Sequence, residues 1–314
     1  MTTITIRDLR PGDTADAGSA VRVRRAALPF MVTTAAAVTY ELARAHPDGH
    51  RRVLLAETPE GLAVGTAEVG VAHGSTEPGQ AYVNVYVDPE HRGLGTGGAL
   101  VRAAEAHLAR PDVTDTYSWV LDEPEHRAFA ERRGYRAGRS AHFLRLDLTA
   151  AALPPLPELP AGVELRPGSA FAADPRPFHR ADCEASADEP GDVPVELDDY
   201  EDWLRDVWHN PALDHELTTA VLVDGVVAAF SAARTDGAGR YSSAMTGTLR
   251  AFRGRGLAKL AKTDSLLRAR AAGYREAFTG NDAGNEPMLA INRWFGYEIC
   301  ATETRYAKKT GAAQ

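Results

Sequence analysis

Three short words occur twice in this chain of 314 residues, in the same order and at nearly the same spacing. Leu9-Arg10-Pro11-Gly12 returns 156 residues on as Leu165-Arg166-Pro167-Gly168. The loop Arg92-Gly93-Leu94-Gly95 returns 161 residues on as Arg253-Gly254-Arg255-Gly256. Gly134-Tyr135 returns 162 residues on as Gly296-Tyr297. One such match is noise. Three in register, about half the chain apart, point to a unit that is built twice. Between the copies, residues 151–162 read A-A-L-P-P-L-P-E-L-P-A-G. Its four prolines fix backbone angles and remove amide donors, so the stretch is neither helix nor central strand. It behaves as a semi-rigid spacer. The sequence therefore predicts two tandem domains, 1–150 and 162–314, joined by a Pro-rich linker over 151–161, each of ordinary domain size.

Each half repeats one coarse order of elements. A short strand (3–8; 162–166) precedes polar helical segments, and Leu197, Tyr200, Leu204 and Val207 recur at helical spacing in the second copy. Two β-rich runs follow, Arg52 to Glu57 and Ala63 to Val71, matched by Thr218 to Val223 and Val226 to Ala233. A third strand runs into the glycine loop, over Ala81 to Val87 and over Ser242 to Leu249. After the loop, Gly97, Leu100, Val101, Ala104 and Leu108 form one helical stripe, and Leu257, Leu260, Ala261 and Leu267 form its counterpart. A further strand (115–121; 275–279), a short helix and a last strand complete each half. The expected class is α+β, with a mostly antiparallel mixed sheet flanked by helices in each half.

A strand, a glycine turn and a helix together expose backbone N–H groups at the helix start, where the first amides have no partner within the helix. The helix dipole adds partial positive charge there, so such a terminus suits phosphate. Glycine admits close approach and left-handed backbone. Arg92 and Arg253 add charge at the loop entrance. A G-x-x-x-x-G-K-[ST] loop is absent. Gly93, Gly95 and Gly98 fit G-x-G-x-x-G by letter, but the preceding chain reads as antiparallel strands and the second copy holds only Gly254 and Gly256.

Val87-Asp88-Pro89-Glu90-His91-Arg92-Gly93-Leu94-Gly95-Thr96-Gly97 resembles the acyl-CoA loop of the GCN5-related N-acetyltransferases, and Arg253-Gly254-Arg255-Gly256-Leu257-Ala258 is similar. The family's later N-x-x-x-N and G-F/Y signature resembles Asn281 through Asn285, Asn292 and Gly296-Tyr297. The resemblance covers nearly the whole chain as the tandem, two-domain type, distantly like mycothiol synthase, and assigns no acceptor. It implies acetyl-CoA as co-substrate, held by its pyrophosphate on the loop amides. The thioester would lie where two central strands splay. The cofactor-binding residues it implies are Val87, Arg92, Gly93, Gly95 and Gly97 in the first half. In the second they are Leu249, Arg253, Gly254, Arg255, Gly256, Ala258, Asn281 and Asn285. The asparagines also suit a helix cap.

The implied reaction is direct attack of a primary amine on the thioester. An alkylammonium has a pKa near ~10.4, so the site must lower it or supply a base. Asp188 and Glu189, in the acidic loop 186–192, are candidate bases or simply solvated charges. Many relatives place a tyrosine acid four residues before the Gly-Phe/Tyr pair; here Ala130 and Asn292 stand there. Asn292 is kept as a cofactor contact, and Tyr82, Tyr86 and Tyr241 as alternative acids or strand packing. The second half, with loop and asparagines both present, is expected to be the catalytic one.

A net charge of −8 and a pI near 5.7 exclude a dedicated nucleic-acid binder. No apolar run reaches the roughly 20 residues of a membrane span, and the N-terminus has no signal pattern. Cys183 and Cys300 have no metal-ligand spacing, so the reading is a reduced cytoplasmic protein without metal. The expected partner is a small-molecule amine acceptor, for a monomer or homodimer. The competing readings are a non-catalytic acyl-CoA-binding or sensing protein and a dinucleotide oxidoreductase.

Overall fold

The structure, a computed structural model, describes residues 4–75, 77–189 and 199–309. By its contacts the chain divides into two compact units, Met1–Ala141 with Ala301–Gln314, and His142–Cys300. This partition differs from the halves of the sequence repeat at 1–150 and 162–314. Two strands change unit along their length, so the last strand of the chain completes the first unit.

In the first unit the order is β1 (Thr5–Asp8), α1 (Thr14–Ala27), α2 (Ala35–Ala43), β2 (Arg52–Glu57), β3 (Ala63–Val71), β4 (Gln80–Val87), α3 (Thr96–His107), β5 (Asp115–Leu121), α4 (Pro124–Glu131) and the start of β6 (Arg136–Asp147). In the second it is the end of β6, β7 (Val163–Pro167), α5 (Arg176–Ser186), α6 (Tyr200–Trp203), β8 (Thr219–Val223), β9 (Val226–Thr235), β10 (Arg240–Thr248), α7 (Leu257–Ala271), β11 (Glu276–Asp282), α8 (Glu286–Trp294) and the start of β12 (Glu298–Lys309). The class is α+β, as the sequence pattern predicts. Of the helical stretch read from Val195, residues 195–198 lie outside the described residues. Past α6 it widens, with His209 N bonding Leu204 O in an i→i+5 turn.

The strand order in the first unit is β1-β2-β3-β4-β5-β12-β6, and in the second β6-β11-β10-β9-β8-β7. Most neighbours are antiparallel. In each unit one pair is parallel, β4 with β5 and β10 with β11, because a helix crosses between them. These two pairs make the site. β4 and β5 pair only from Gln80↔Asp115 to Tyr82↔Tyr117, although the strands run on to Val87 and Leu121. β10 and β11 pair only from Arg240↔Glu276 to Ser243↔Thr279, although they run on to Thr248 and Asp282. In both units the parallel pair opens toward the glycine loop.

The cores explain the helix stripes. Leu100, Ala104 and Leu108 of the α3 segment pack with Leu54, Ala67 and Val83. In the second unit Leu257, Leu260 and Ala261 pack with Val221 and Ala229. Leu266, not the expected Leu267, is the fully buried leucine later in α7. One turn of helix is 3.6 residues, so Leu266 keeps to the buried stripe begun at Leu257 and Leu267 is rotated off it. The repeated Gly-Tyr word also has a structural reason. Gly134 and Gly296 stand past α4 and α8 at φ +83° and +86°. Tyr135 N and Tyr297 N reach back to Ala130 O and Asn292 O, closing a Schellman turn in each copy.

Candidate active site

The two glycine loops are conformational copies. Gly93 and Gly95 lie at φ +80° and +84°, and Gly254 and Gly256 both at +76°. Left-handed backbone costs a residue with a Cβ about 1–2 kcal/mol, which accounts for glycine at these places. Gly95 caps α3 and Gly256 caps α7, each without any side-chain cap. The first helical bonds are Ala99 N to Gly95 O and Leu260 N to Gly256 O. The amides of residues 96–98 and 257–259 therefore have no partner within their helices. A Ser, Thr or Asp cap would occupy one of these donors; glycine leaves them to a ligand.

Each loop borders its own cavity. The first, about 520 Å³, is lined by Val87, Arg92, Gly93, Gly95 and Gly97 of the expected set. The hydroxyl of Thr96, buried at its edge, has no hydrogen-bond partner. Asn84 Oδ1 accepts from Trp119 N at 3.0 Å, where backbone pairing of β4 with β5 has ended. Arg92 pairs with Glu125 at 2.9 Å. The second cavity, about 540 Å³, is lined by Arg253, Gly254, Gly256, Ala258, Asn281 and Asn285. Asn285 also caps α8, accepting from Met288 N, so its two readings coexist. Leu249 and Arg255 are not among the lining residues. Leu249 packs on the core around Phe178 and Phe230, and Arg255 lies 5.7 Å from the Phe252 ring.

The expected acid and base groups of the second unit fare differently. Asp188 and Glu189 line the second cavity, while Pro190 to Asp192 of their loop lie outside the described residues. Asp188 is engaged by Arg250 at 2.7 Å and by Arg253. Hydrogen bonds from Arg250 and then Arg253 hold its carboxyl down at about 2. A carboxylate that weakly basic, already paired with the loop arginines, is not suited to take an ammonium proton. Tyr241 is fully buried, and its hydroxyl pairs with Ser265 Oγ at 2.7 Å. Burial raises its phenol, and it belongs to the core rather than to the cavity wall. This corrects its candidacy as acid. Its alternation in β10 turned it inward, beneath the cleft.

Asn292 is fully buried too. It accepts from Lys262 Nζ at 2.6 Å and donates through Nδ2 to Asn281 Oδ1 at 2.6 Å. Lys262 has no acceptor capacity, so it fixes which way Asn292 faces, and Asn292 fixes Asn281 in turn. Asn281 is left with its own Nδ2 donor group at the cavity wall. Asn292 thus acts from behind, where a cofactor contact was expected. Lys262, read only as part of the Leu/Ala/Lys run, carried no sequence signal of burial. Burial alone brings it down to about 7.

The first unit holds a group that the sequence reading passed over. Glu303, on the part of β12 that belongs to the first unit, lines the first cavity and is only 7% exposed. Burial raises its carboxyl to about 7.

Glycine loops on uncapped helices, set against parallel strands that part beside them, define an acyl-CoA-dependent transferase architecture. The comparisons with known proteins agree. A family model described as an acetyltransferase (GNAT) domain matches residues 49–137. The mycothiol acetyltransferase of Clavibacter sepedonicus is 33% identical, over 83% of this chain and 82% of its own. That of Nocardiopsis dassonvillei is 30% identical, over 83% of each chain. Two solved structures share the fold. A tandem GNAT protein from the clavulanic acid biosynthesis pathway has a TM-score of 0.74 at 19% identity, covering 99% of this chain and 100% of that one. A GCN5-related N-acetyltransferase from Sphaerobacter thermophilus has a TM-score of 0.70 at 22% identity, covering 99% and 98%. This chain belongs to the GCN5-related N-acetyltransferases, in the tandem family that includes the mycothiol acetyltransferases, and is an acyltransferase that uses acetyl-CoA as co-substrate.

Proposed function

We propose that this acetyltransferase moves the acetyl group of acetyl-CoA directly onto the primary amine of a small molecule. The observation that carries the reading is one cavity in which an uncapped, glycine-opened helix start meets the mouth of a parting strand pair. Loop amides there suit a pyrophosphate, and the parted strands leave unpaired backbone donors for a thioester carbonyl. A volume of about 520 Å³ falls within the range of small-molecule pockets. The attacking nitrogen must be neutral, so one ammonium proton leaves before the N–C bond forms. The sulfur departs as a thiolate of low basicity and needs little help. The name of the curated relatives puts a mycothiol-type amine at the head of the acceptor panel.

The second unit supports a narrower reading, the holding of acyl-CoA without turnover. Its loop and asparagines line a cavity, but Tyr241 and Asn292 lie behind the wall and Asp188 is paired with arginines. The test is thiol release from acetyl-CoA across a panel of small amines, with mass detection of the product. The expected result is one acetylated amine per thiol released, with both substrates bound together before either product leaves. Acetyl-CoA binding without thiol release on any amine would sink the proposal and leave a binding protein. A stable acetyl-enzyme would refute direct attack.

A further inference from the structure

We infer that the first unit carries its own acetyl-transfer site, and that Glu303 is the group there that takes the proton from the acceptor ammonium. The inference rests on the amine-transfer reading above and reverses the sequence expectation that the second half does the chemistry. Glu303 stands opposite Leu121 on β5, beyond the point where β4 and β5 part. It lines the same cavity as Gly93, Gly95 and Thr96. Among the described residues no hydrogen bond or ion pair engages its side chain.

A buried glutamate without a partner is costly, and one kept for structure is normally paired or replaced. The charged groups of the cavity do not neutralise it. Arg92 is paired with Glu125, and Arg133 lies over the Phe129 ring at 3.5 Å. Arg139 on β6 and Arg305 on β12 lie over the rings of Trp119 and Tyr117. From β4 the titratable neighbour is Tyr86, whose phenol is pushed up by burial first and then by Glu68 and Glu303. His91 and His126 line the cavity at its loop end. The register 162 residues earlier holds Ala141, so the repeat supplies no second carboxyl there.

Geometry and burial together give this carboxyl a use. Raised to about 7, it stands roughly 3.5 pK units below an alkylammonium rather than the usual six, an equilibrium about 300-fold better for proton transfer. The step balances as follows. An ammonium proton passes to the Glu303 carboxylate. The freed nitrogen pair forms the N–C bond as the C–S bond breaks, and sulfur leaves with that pair. The second nitrogen proton goes to the thiolate, and Glu303 returns its proton to water.

The test is Glu303→Gln, which keeps shape and removes the base. Its expected effect is a loss of at least 100-fold in kcat/KM for the amine at pH 7, with the acid limb of the wild-type profile gone. Comparison with the variant assigns that limb, because the two histidines also titrate nearby. Acetyl-CoA binding by calorimetry should be unchanged. Independently, 13C-labelled glutamate in the wild-type protein should show one carboxyl titrating near pH 7, absent from the variant. Wild-type turnover and acid limb in Glu303→Gln overturn the assignment, and so does a Glu303 midpoint near 4.5. If the wild type turns over no amine at all, the underlying reading falls with it, so the two failures are told apart. A variant that loses its circular-dichroism signature leaves the decision to the wild-type titration.

Discussion

Lys262 offers a measurement that separates burial of a base from every other contribution to stability. It is fully buried on α7, donates to Asn292 Oδ1 at 2.6 Å and lies 4.8 Å from the Tyr297 ring centroid. Burial alone lowers it from 10.5 to about 7. That gap corresponds to about 5 kcal/mol of disfavour for the charged form inside the fold. The sign follows from proton counting. Between about pH 7 and 10.5 the unfolded chain keeps the proton and the folded chain does not. The unfolded state binds more protons, so stability rises with pH across that window. The slope is about 1.4 kcal/mol per pH unit, or about 2 kcal/mol from pH 7.5 to 9. Lys262→Met removes the titration. It also leaves Asn292 Oδ1 without its donor, which costs about 1–3 kcal/mol but does not depend on pH. The net change at pH 7 is a difference of opposing amounts; the change in slope is not. The assay is urea unfolding of both proteins at pH 7.5, 8.25 and 9, followed by tryptophan fluorescence. Trp203, Trp208 and Trp294, three of the four tryptophans, lie in the second unit. The wild type should gain about 2 kcal/mol over the variant across that range. Parallel pH dependences in the two proteins would refute the reasoning and mean that Lys262 keeps its proton in the fold.

Gly95→Val and Gly256→Val should each cost about 1–2 kcal/mol of stability from left-handed backbone alone, since nothing lies within 4 Å of either added Cβ. Calorimetric titration with acetyl-CoA should show one site weakened at least tenfold in each variant. Asp188→Asn releases Arg250 and Arg253 from their shared anion, so acetyl-CoA should bind the second loop more tightly, most clearly at low salt. Weaker binding would show instead that the carboxylate holds those arginines in place for the ligand. Trp203→Phe removes the indole donor 2.8 Å from the buried Asp182 carboxyl, leaving only a 3.4 Å contact from Ser186. A loss of about 2–4 kcal/mol is expected in urea unfolding.

What could be read in advance is what depends on nearby residues. Left-handed glycines announce themselves, because few other residues tolerate φ near +80°. That is why the pairs at 93 and 254, 95 and 256, and 134 and 296 match in conformation as well as in letter. Alternating strands and helix stripes were also legible, and the β2 and β3 ranges fall where the pattern puts them. The opening of the parallel pairs was not. Nothing local to Ala81 to Val87 says that pairing ends at Tyr82, since that depends on a strand thirty residues away. Tyr241 shows the same limit. A tyrosine in a strand carries no mark of whether its face meets a cleft or a core, and the serines at 243 and 265 that satisfy its hydroxyl are twenty-two residues apart. Lys262 is the sharper case. Lysine on a helix reads as solvated, and only packing against Tyr297 and Asn292 puts it inside.

Glu303 was hidden for a further reason, which lies in the architecture. The repeat ends each half with a strand, and reading in halves assigns the last one to the second copy. The contacts assign residues from Ala301 onward to the first unit, where Glu303 to Lys309 pair antiparallel with Leu121 back to Asp115. The unit of duplication and the unit of packing are therefore different cuts of one chain. An isolated 1–150 segment would keep its glycine loop and α3, but β5 would lose the partner along its edge, and the cavity would lose the carboxyl set opposite Leu121. Such an edge is free to pair elsewhere. By the sequence alone that segment is a whole domain; by its contacts it is a coenzyme loop without its base.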